Sequence, residues 1–116
     1  MITKKYTISE KEYTFVCETW ETSRAWGHRV VLLRNGYEIS EAKIRYYNRT
    51  WECYQYQTCM KKALGLAIDK HAKAIEKLYR LENNITRISK KQKDELAKLL
   101  ENDELMQEYR KIYEQL

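Results

Sequence analysis

The sequence has no proline, only three glycines and only three cysteines among its 116 residues. Because Gly27, Gly36 and Gly65 lie far apart, the chain lacks a glycine-rich loop of the kind that cradles phosphate groups. The cysteines are odd in number and form no close pair, which indicates reduced thiols in a cytoplasm. We therefore expect neither a phosphate-loop nucleotide-binding protein nor a disulfide-rich secreted protein.

Long apolar runs are missing as well. No run approaches the roughly 20 apolar residues that a helix needs to cross a bilayer. Residues 1–5 also lack the apolar core of a signal peptide. We expect a cytoplasmic protein that has no membrane partner.

Patterns that bind metal ions or catalyse reactions are equally scarce. Cys53 and Cys59 have the wrong spacing for a zinc knuckle, and the two histidines, His28 and His71, lie far apart. The carboxylates occur mainly among lysines at helical spacing, which is typical of solvated helix faces. We expect no metal, no cofactor and no enzymatic activity, which leaves a binding function.

The net charge of +5 is unevenly distributed. Residues 24–49 and 86–93 are basic, whereas residues 94–116 are acidic. Such blocks suit a protein that docks on a polyanion or on an acidic protein surface, although ordinary solvated exteriors also carry them.

The first part of the chain has the pattern of a β-sheet. Residues 13–20, 25–34 and 37–47 are rich in aromatic and β-branched side chains that alternate with polar ones. Asn35-Gly36 between the last two is a strong hairpin signal, because both residues tolerate the positive φ of a type I′ turn. Residues 2–8 fit either a short edge strand or a loose segment.

A two-residue turn that places Arg34 opposite Tyr37 sorts the hairpin side chains by face. The first face is mostly apolar or small and is predicted to meet the core: Arg29, Val31, Leu33, Ser40, Ala42, Ile44 and Tyr46. The second is predicted to meet solvent: Trp26, His28, Val30, Leu32, Arg34, Tyr37, Ile39, Glu41, Lys43, Arg45 and Tyr47.

The second part of the chain has a helical pattern. Apolar residues recur at steps of three and four between positions 51 and 83, which predicts a long helix across the sheet. Gly65 in this stretch marks a kink, a break or a tight helix crossing. Ser89 and Gln92 have the spacing of a capping box, and they predict a second helix that ends near Leu100. A third helix is predicted from Asn102 or Asp103 onward.

These patterns predict one α+β domain, 1–116, with a sheet portion at 1–48 and a helical portion at 49–116. The sheet is a three-stranded antiparallel sheet packed by a long helix, with a C-terminal helical extension. The extension carries an apolar stripe that a short chain has difficulty burying by itself, so a homodimer through it is one hypothesis. The stripe contains Tyr109, Ile112, Tyr113 and Leu116.

Aromatic and basic residues are the strongest candidates for partner binding. Rings give a large contact area, and guanidinium groups bond phosphates or carboxylates in a bidentate manner. The predicted contact residues are Trp26, His28, Arg29, Lys43, Arg45, Tyr47, Arg49, Arg87, Lys90 and Lys91. The alternative is that Trp26 and Tyr47 pack beneath another segment as part of a second core.

Residues 45–52 and 54–58 resemble a segment of small accessory proteins that bacteriophages and mobile elements of Gram-positive bacteria carry. Such proteins are often inhibitors of host defence, including anti-CRISPR proteins, or small regulators. The resemblance implies stoichiometric binding to a host protein or ribonucleoprotein complex of the CRISPR-effector type in the bacterial cytoplasm, and it transfers no catalytic residue. The alternative is a DNA- or RNA-binding module that uses the basic, aromatic face of the sheet.

Overall fold

The structure, a computed structural model, describes residues 1–46 and 56–116. Strands precede helices along the chain, as predicted. The elements are β1 (Ile2–Ile8), β2 (Lys11–Glu21), β3 (Trp26–Arg34), β4 (Tyr37–Tyr46), α1 (Gln57–Glu82), α2 (Lys90–Asn102) and α3 (Glu104–Gln115). The predicted α+β class, the long helix and the C-terminal helical extension are confirmed. The described sheet has four strands rather than three, because residues 2–8 form an edge strand.

The sheet is antiparallel with the strand order β1-β2-β3-β4. Asn35 and Gly36 form the predicted turn between β3 and β4, with φ values of 49° and 83°. Asn35 also fastens this turn to β2, since its Oδ1 accepts from the Glu12 backbone N–H at 2.9 Å. The turn between β1 and β2 uses Ser9 and Glu10, both with positive φ.

The register of the β3–β4 hairpin differs from the prediction by one residue. Arg34 pairs with Tyr37 and Leu33 with Glu38 as expected, but the ladder is irregular between Leu33 and Leu32, and Leu32 pairs with Ser40 rather than Ile39. Ile39 is thus an extra residue in β4, which makes a β-bulge. From that point onward, the bulge exchanges the faces of one strand relative to the other.

The faces predicted for β3 are therefore wrong, while the inward face predicted for β4 is confirmed. His28, Val30 and Leu32 lie beneath the helices and are almost fully buried. On β4, Ala42 is buried at their side, as expected. The side chains predicted for the core of β3, such as Val31, point to the opposite side of the sheet.

α1 packs across β3 and β4 and closes one side of the sheet. Ser40 donates a hydrogen bond of 2.6 Å to the Ala63 carbonyl group of α1. The Cys59 thiol of α1 lies 3.5 Å from the Ala42 carbonyl oxygen and 3.7 Å from that of His28. The core between sheet and helices contains Ile8, Tyr13, Phe15, Cys17, Val30, Leu32, Ala42, Cys59, Met60, Ala63, Leu64, Ala67, Met106, Tyr109 and Ile112.

α1 runs through Gly65 without a break and is about 39 Å long at 1.5 Å per residue. The stripe of α1 that faces the sheet includes Met60 and Ala67, and it continues at the same helical spacing to Leu78 and Leu81. The last two are 58% and 68% exposed. The distal part of α1 therefore extends beyond the sheet, and α2 packs against it there.

The capping box that begins α2 is confirmed. The Ser89 hydroxyl accepts from the Gln92 backbone N–H at 3.3 Å, and the Gln92 side chain accepts from the Ser89 N–H at 3.0 Å. Asp103 caps α3 in a related way, because its Oδ2 accepts from the Met106 N–H at 3.0 Å. The same carboxylate lies 2.7 Å from Nε2 of His71 in α1, which joins the two helices.

The apolar stripe of α3 is largely buried within the chain. Tyr109 and Ile112 are 3% and 0% exposed, whereas Tyr113 is half exposed. Tyr109 and Ile112 are therefore covered without a second copy of the chain.

We predict that Cys17 and Cys59 are inert thiols. Both side chains are 0% exposed, and burial raises the pKa of Cys17 to about 11 and also raises that of Cys59. A Cys53→Ser variant, used because residue 53 is outside the described residues, should leave both thiols unreactive toward a disulfide reagent at about pH 8 until the chain unfolds. Rapid labelling of either thiol in the folded protein would contradict the described core.

Because these thiols are buried, the free energy of unfolding should decrease as the pH becomes alkaline. A thiol whose pKa is raised on folding stays protonated in the folded state while the unfolded state ionises, so stability falls as pH rises. For Cys17, we expect a loss of about 2 kcal/mol in unfolding free energy between pH 9 and 11. Urea titrations in this range should show a smaller loss for Cys17→Val, because that variant has no thiol at this site.

Candidate functional site

One side of the sheet carries no described helix, and we call it the open face. Its side chains alternate along the strands with those of the core, and they come mainly from β2, β3 and β4. Its residues include Val16, Glu18, Trp20, Arg29, Val31, Leu33, Glu41, Lys43 and Arg45. Because these residues project from hydrogen-bonded strands, their relative positions are fixed before any partner arrives.

Arg29 occupies the middle of the open face and joins three strands. Its guanidinium group donates to Glu18 of β2 at 2.8 Å and to Glu41 of β4 at 2.6 Å. The hydrogen bonds to Glu41 and Glu18 raise the pKa of Arg29, and the bond from Arg29 lowers the pKa of Glu41. The charge of Arg29 is thus largely compensated within the sheet.

Trp20 lies over Gly27 of the neighbouring strand. A Cβ atom at position 27 would be 2.7 Å from Cζ2 of Trp20 and 1.8 Å from the Ile44 carbonyl oxygen, so only glycine fits there. The indole N–H of Trp20 donates to the His28 carbonyl group at 3.2 Å. The Lys43 amine lies 4.6 Å from the ring centroid, a cation–π contact. The indole is therefore held from three sides.

An apolar row crosses the open face next to the charged row. Val16 of β2 pairs with Val31 of β3, and Leu33 lies two residues further along the same strand. All three side chains are half-buried although no described helix covers them. A flat apolar row with an anchored tryptophan at one side and charges around it resembles the core and rim of protein interfaces.

The structure places two predicted contact residues, Trp26 and His28, on the helix side of the sheet rather than on the open face. His28 is 1% exposed and lies beneath α1, where its ring contacts those of Trp26, Tyr46 and Tyr56. The hydroxyl of Tyr46 is 3.4 Å from Nδ1 of His28. Trp26 is half-buried and belongs to the same aromatic cluster, since its ring also contacts that of Tyr46.

The remaining predicted residues fall into three groups. Arg29, Lys43 and Arg45 lie together on the open face. Arg87, Lys90 and Lys91 are exposed around the start of α2, at the distal end of the helical portion. Tyr47 and Arg49 are outside the described residues, as is most of the segment that carries the phage-protein resemblance.

Sequence reasoning missed the residues that make the open face distinctive. Trp20, Val16 and Glu18 lie on β2, and their relation to β3 depends on a register that no tight turn signal fixes. Gly27 was the available signal: a glycine inside a strand indicates close approach of another group. Pairing that glycine with Trp20, the tryptophan of the preceding strand, would have located this side of the sheet.

The described residues contain no cluster of three or more histidine, cysteine, aspartate or glutamate side chains suited to a metal ion. None of the described helices is long and apolar enough to cross a bilayer. No family model, curated protein or solved structure matches the chain.

Proposed function

We propose that the protein acts without enzymatic chemistry, by stoichiometric binding of a protein partner to the open face. The observation that carries this proposal is the apolar row of Val16, Val31 and Leu33 beside the anchored Trp20. Interface hot spots are typically aromatic side chains in well-packed surroundings with polar groups around them. Since these side chains are held in place, binding costs little ordering entropy.

The charge pattern favours a protein partner over nucleic acid. Arg29, at the centre, is already bonded to two carboxylates, so it has little capacity left for a phosphate group. The open face thus presents both signs of charge, whereas surfaces that bind nucleic acids are predominantly basic. Mixed charges around an apolar centre instead fit the polar rim of a protein interface.

We further propose that the partner is a host defence complex of the CRISPR-effector type in the bacterial cytoplasm. The support is the resemblance of residues 45–58 to small phage and mobile-element proteins. A rigid binding face on a chain of 116 residues suits inhibition by occupying a surface that the complex needs.

The test is phage infection of a bacterium with active CRISPR immunity that expresses the protein. We expect the protein to restore plaque formation by the targeted phage, and Val31→Lys to reduce this effect at least tenfold, which corresponds to about 1.4 kcal/mol of binding energy. Leu99→Lys is the matched control, because Leu99 is a half-exposed leucine on α2. Co-elution of purified protein with the effector complex provides the direct binding readout.

Two results would reject the proposal. If the folded protein neither binds the effector complexes tested nor restores plaques, the defence-inhibitor role is wrong. If Val31→Lys inhibits as well as the unchanged protein, while Leu99→Lys does not, the contact surface lies on the helical portion. Circular dichroism of both variants confirms that any loss reflects binding rather than folding.

The alternative, nucleic-acid binding by the sheet, makes a separate prediction. It relies on neutralisation of about five phosphates, which gives a salt slope near −4.5 and roughly 10²–10³ weaker binding between about 50 and 200 mM salt. The residues involved would be Arg24, Arg29, Lys43, Arg45 and Arg49. We expect gel shifts with duplex DNA to show no such dependence, and a slope of this size would favour the alternative.

A further inference from the structure

The outer edge of β1 is the second surface with the features of a binding site. β1 lies at the end of the sheet and, of the described strands, pairs with β2. A strand in this position presents a row of backbone N–H and C=O groups that can pair with another extended chain. Residues 2–8 provide seven residues for such pairing.

A cavity of about 400 Å³ opens beside this edge. The inward side chains of β1, Ile2, Lys4 and Tyr6, form one wall. The start of α1, including Met60, and the end of α3 form the other. Since no β2 residue lines the cavity, it lies beside the sheet edge, where side chains of an added strand would enter it.

The edge is also positively charged at its centre. Lys4 and Lys5 are adjacent and exposed, and Lys4 makes no ion pair with the described residues. Lys5 reaches Glu12 at 3.8 Å, with both side chains more than half exposed, so this pair contributes little. Lys5 is therefore available to a carboxylate of an added segment, and Lys4 adds positive charge on the cavity side of the strand.

This charge disfavours a second copy of the chain as the occupant. Antiparallel pairing of β1 with its own copy, in a register centred on Lys4 and Lys5, would place these lysines against the same two lysines of the second copy. Like charges directly opposite each other in a ladder are destabilising, and lysine is a common means of preventing edge-to-edge association.

We propose that the β1 edge and its cavity bind an extended acidic segment of another protein, which joins the sheet as an additional strand. Main-chain hydrogen bonds along residues 2–8 hold the segment. Alternate apolar side chains enter the cavity toward Tyr6 and Met60, and the intervening carboxylates lie near Lys5. This is the strand-addition mode of peptide recognition, in which backbone pairing gives affinity and pockets give specificity. It is independent of the open face.

The test uses a fluorescent, end-capped peptide of alternating valine and glutamate, six residues long, with the full chain. We expect saturable binding below about 1 mM in fluorescence anisotropy, with amide shifts in the NMR spectrum centred on residues 2–8. The double variant Lys4→Glu, Lys5→Glu should weaken binding at least tenfold. The matched control is Lys90→Glu, Lys91→Glu, an adjacent exposed pair on α2, which should bind as the unchanged protein does.

An N-methylated version of the peptide separates strand addition from simple charge attraction. Methylation of alternate amides keeps the charge but removes the main-chain donors, so binding should be lost. Equal binding of both peptides, amide shifts away from β1, or no binding up to about 5 mM would each overturn the proposal. A dimer of the free protein in light scattering that Lys4→Glu, Lys5→Glu changes to a monomer would do so too, because a second copy would then occupy the edge.

Discussion

Replacing Gly27 with alanine should lower the free energy of unfolding by at least about 3 kcal/mol. The new Cβ atom would lie 1.8 Å from the Ile44 carbonyl oxygen, a backbone atom of the neighbouring strand. The Cβ atom would also lie 2.7 Å from the Trp20 ring. That ring is held in position by the hydrogen bond from its N–H to His28 and by the Lys43 amine above it. Neither neighbour can move without disturbing the sheet, so the expected cost is at or above the upper range for overpacked sites.

Gly65→Ala is the matched control for Gly27→Ala, since it makes the same chemical change at a position that has space. Apart from the surrounding backbone of α1 itself, no described atom lies within 4 Å of a Cβ atom at position 65. Alanine should therefore stabilise the protein by about 1 kcal/mol. Urea titrations of both variants check the two signs, and a Gly27→Ala protein as stable as the unchanged one would contradict the close approach of β4.

Arg34→Met should cost about 3 kcal/mol because it leaves a covered carboxylate without its cation. Arg34 donates to both oxygens of Glu108 at 3.4 Å, and its Nε donates to the Tyr13 hydroxyl at 2.9 Å. That hydroxyl in turn donates to Glu108 at 3.0 Å. The Glu108 side chain is 11% exposed, so loss of its cation leaves a poorly solvated charge.

The double variant Arg34→Met, Glu108→Met should recover most of this loss. Replacement of a covered ion pair by apolar side chains of similar volume is often neutral, whereas removal of one partner is strongly destabilising. A double-mutant cycle measured by urea unfolding isolates this coupling. Additive effects of the two single variants would show that the charges interact weakly, and would contradict the role of this network in fastening α3 to β2 and β3.

Tyr13 is the most deeply buried member of this hydrogen-bond network with Arg34 and Glu108. Its side chain is 0% exposed, and burial raises its pKa, with the hydrogen bond from Arg34 acting in the opposite direction. Its hydroxyl is therefore a weaker acid than that of an exposed tyrosine and is available as a donor to Glu108.

Much of the fold was predictable because local signals agreed with the tertiary structure. Asn35-Gly36 specified its turn, and Ser89 with Gln92 specified the beginning of α2. The sequence did not show whether residues 2–8 form a strand, because the turn that follows, Ser9-Glu10, lacks the Asn-Gly or Asp-Gly pattern typical of two positive φ values.

The candidate site was less predictable because faces depend on register. The turn signal at Asn35-Gly36 placed the first two pairs of β3 and β4 correctly, but nothing in the sequence marks the bulge that follows them. That single residue moved His28 into the core and Val31 onto the open face. The apolar pattern of both faces of β3 is similar, so composition alone did not distinguish them.

Because α1 is unbroken, it fixes the distance between the sheet and the start of α2. Its first half is bonded to the sheet through Ser40 and Cys59, and its second half supports α2. Since a helix is stiff along its axis, the basic start of α2 is held at a set separation from the sheet. A partner that contacts both regions must therefore be large enough to span this separation, in addition to having the matching surface chemistry.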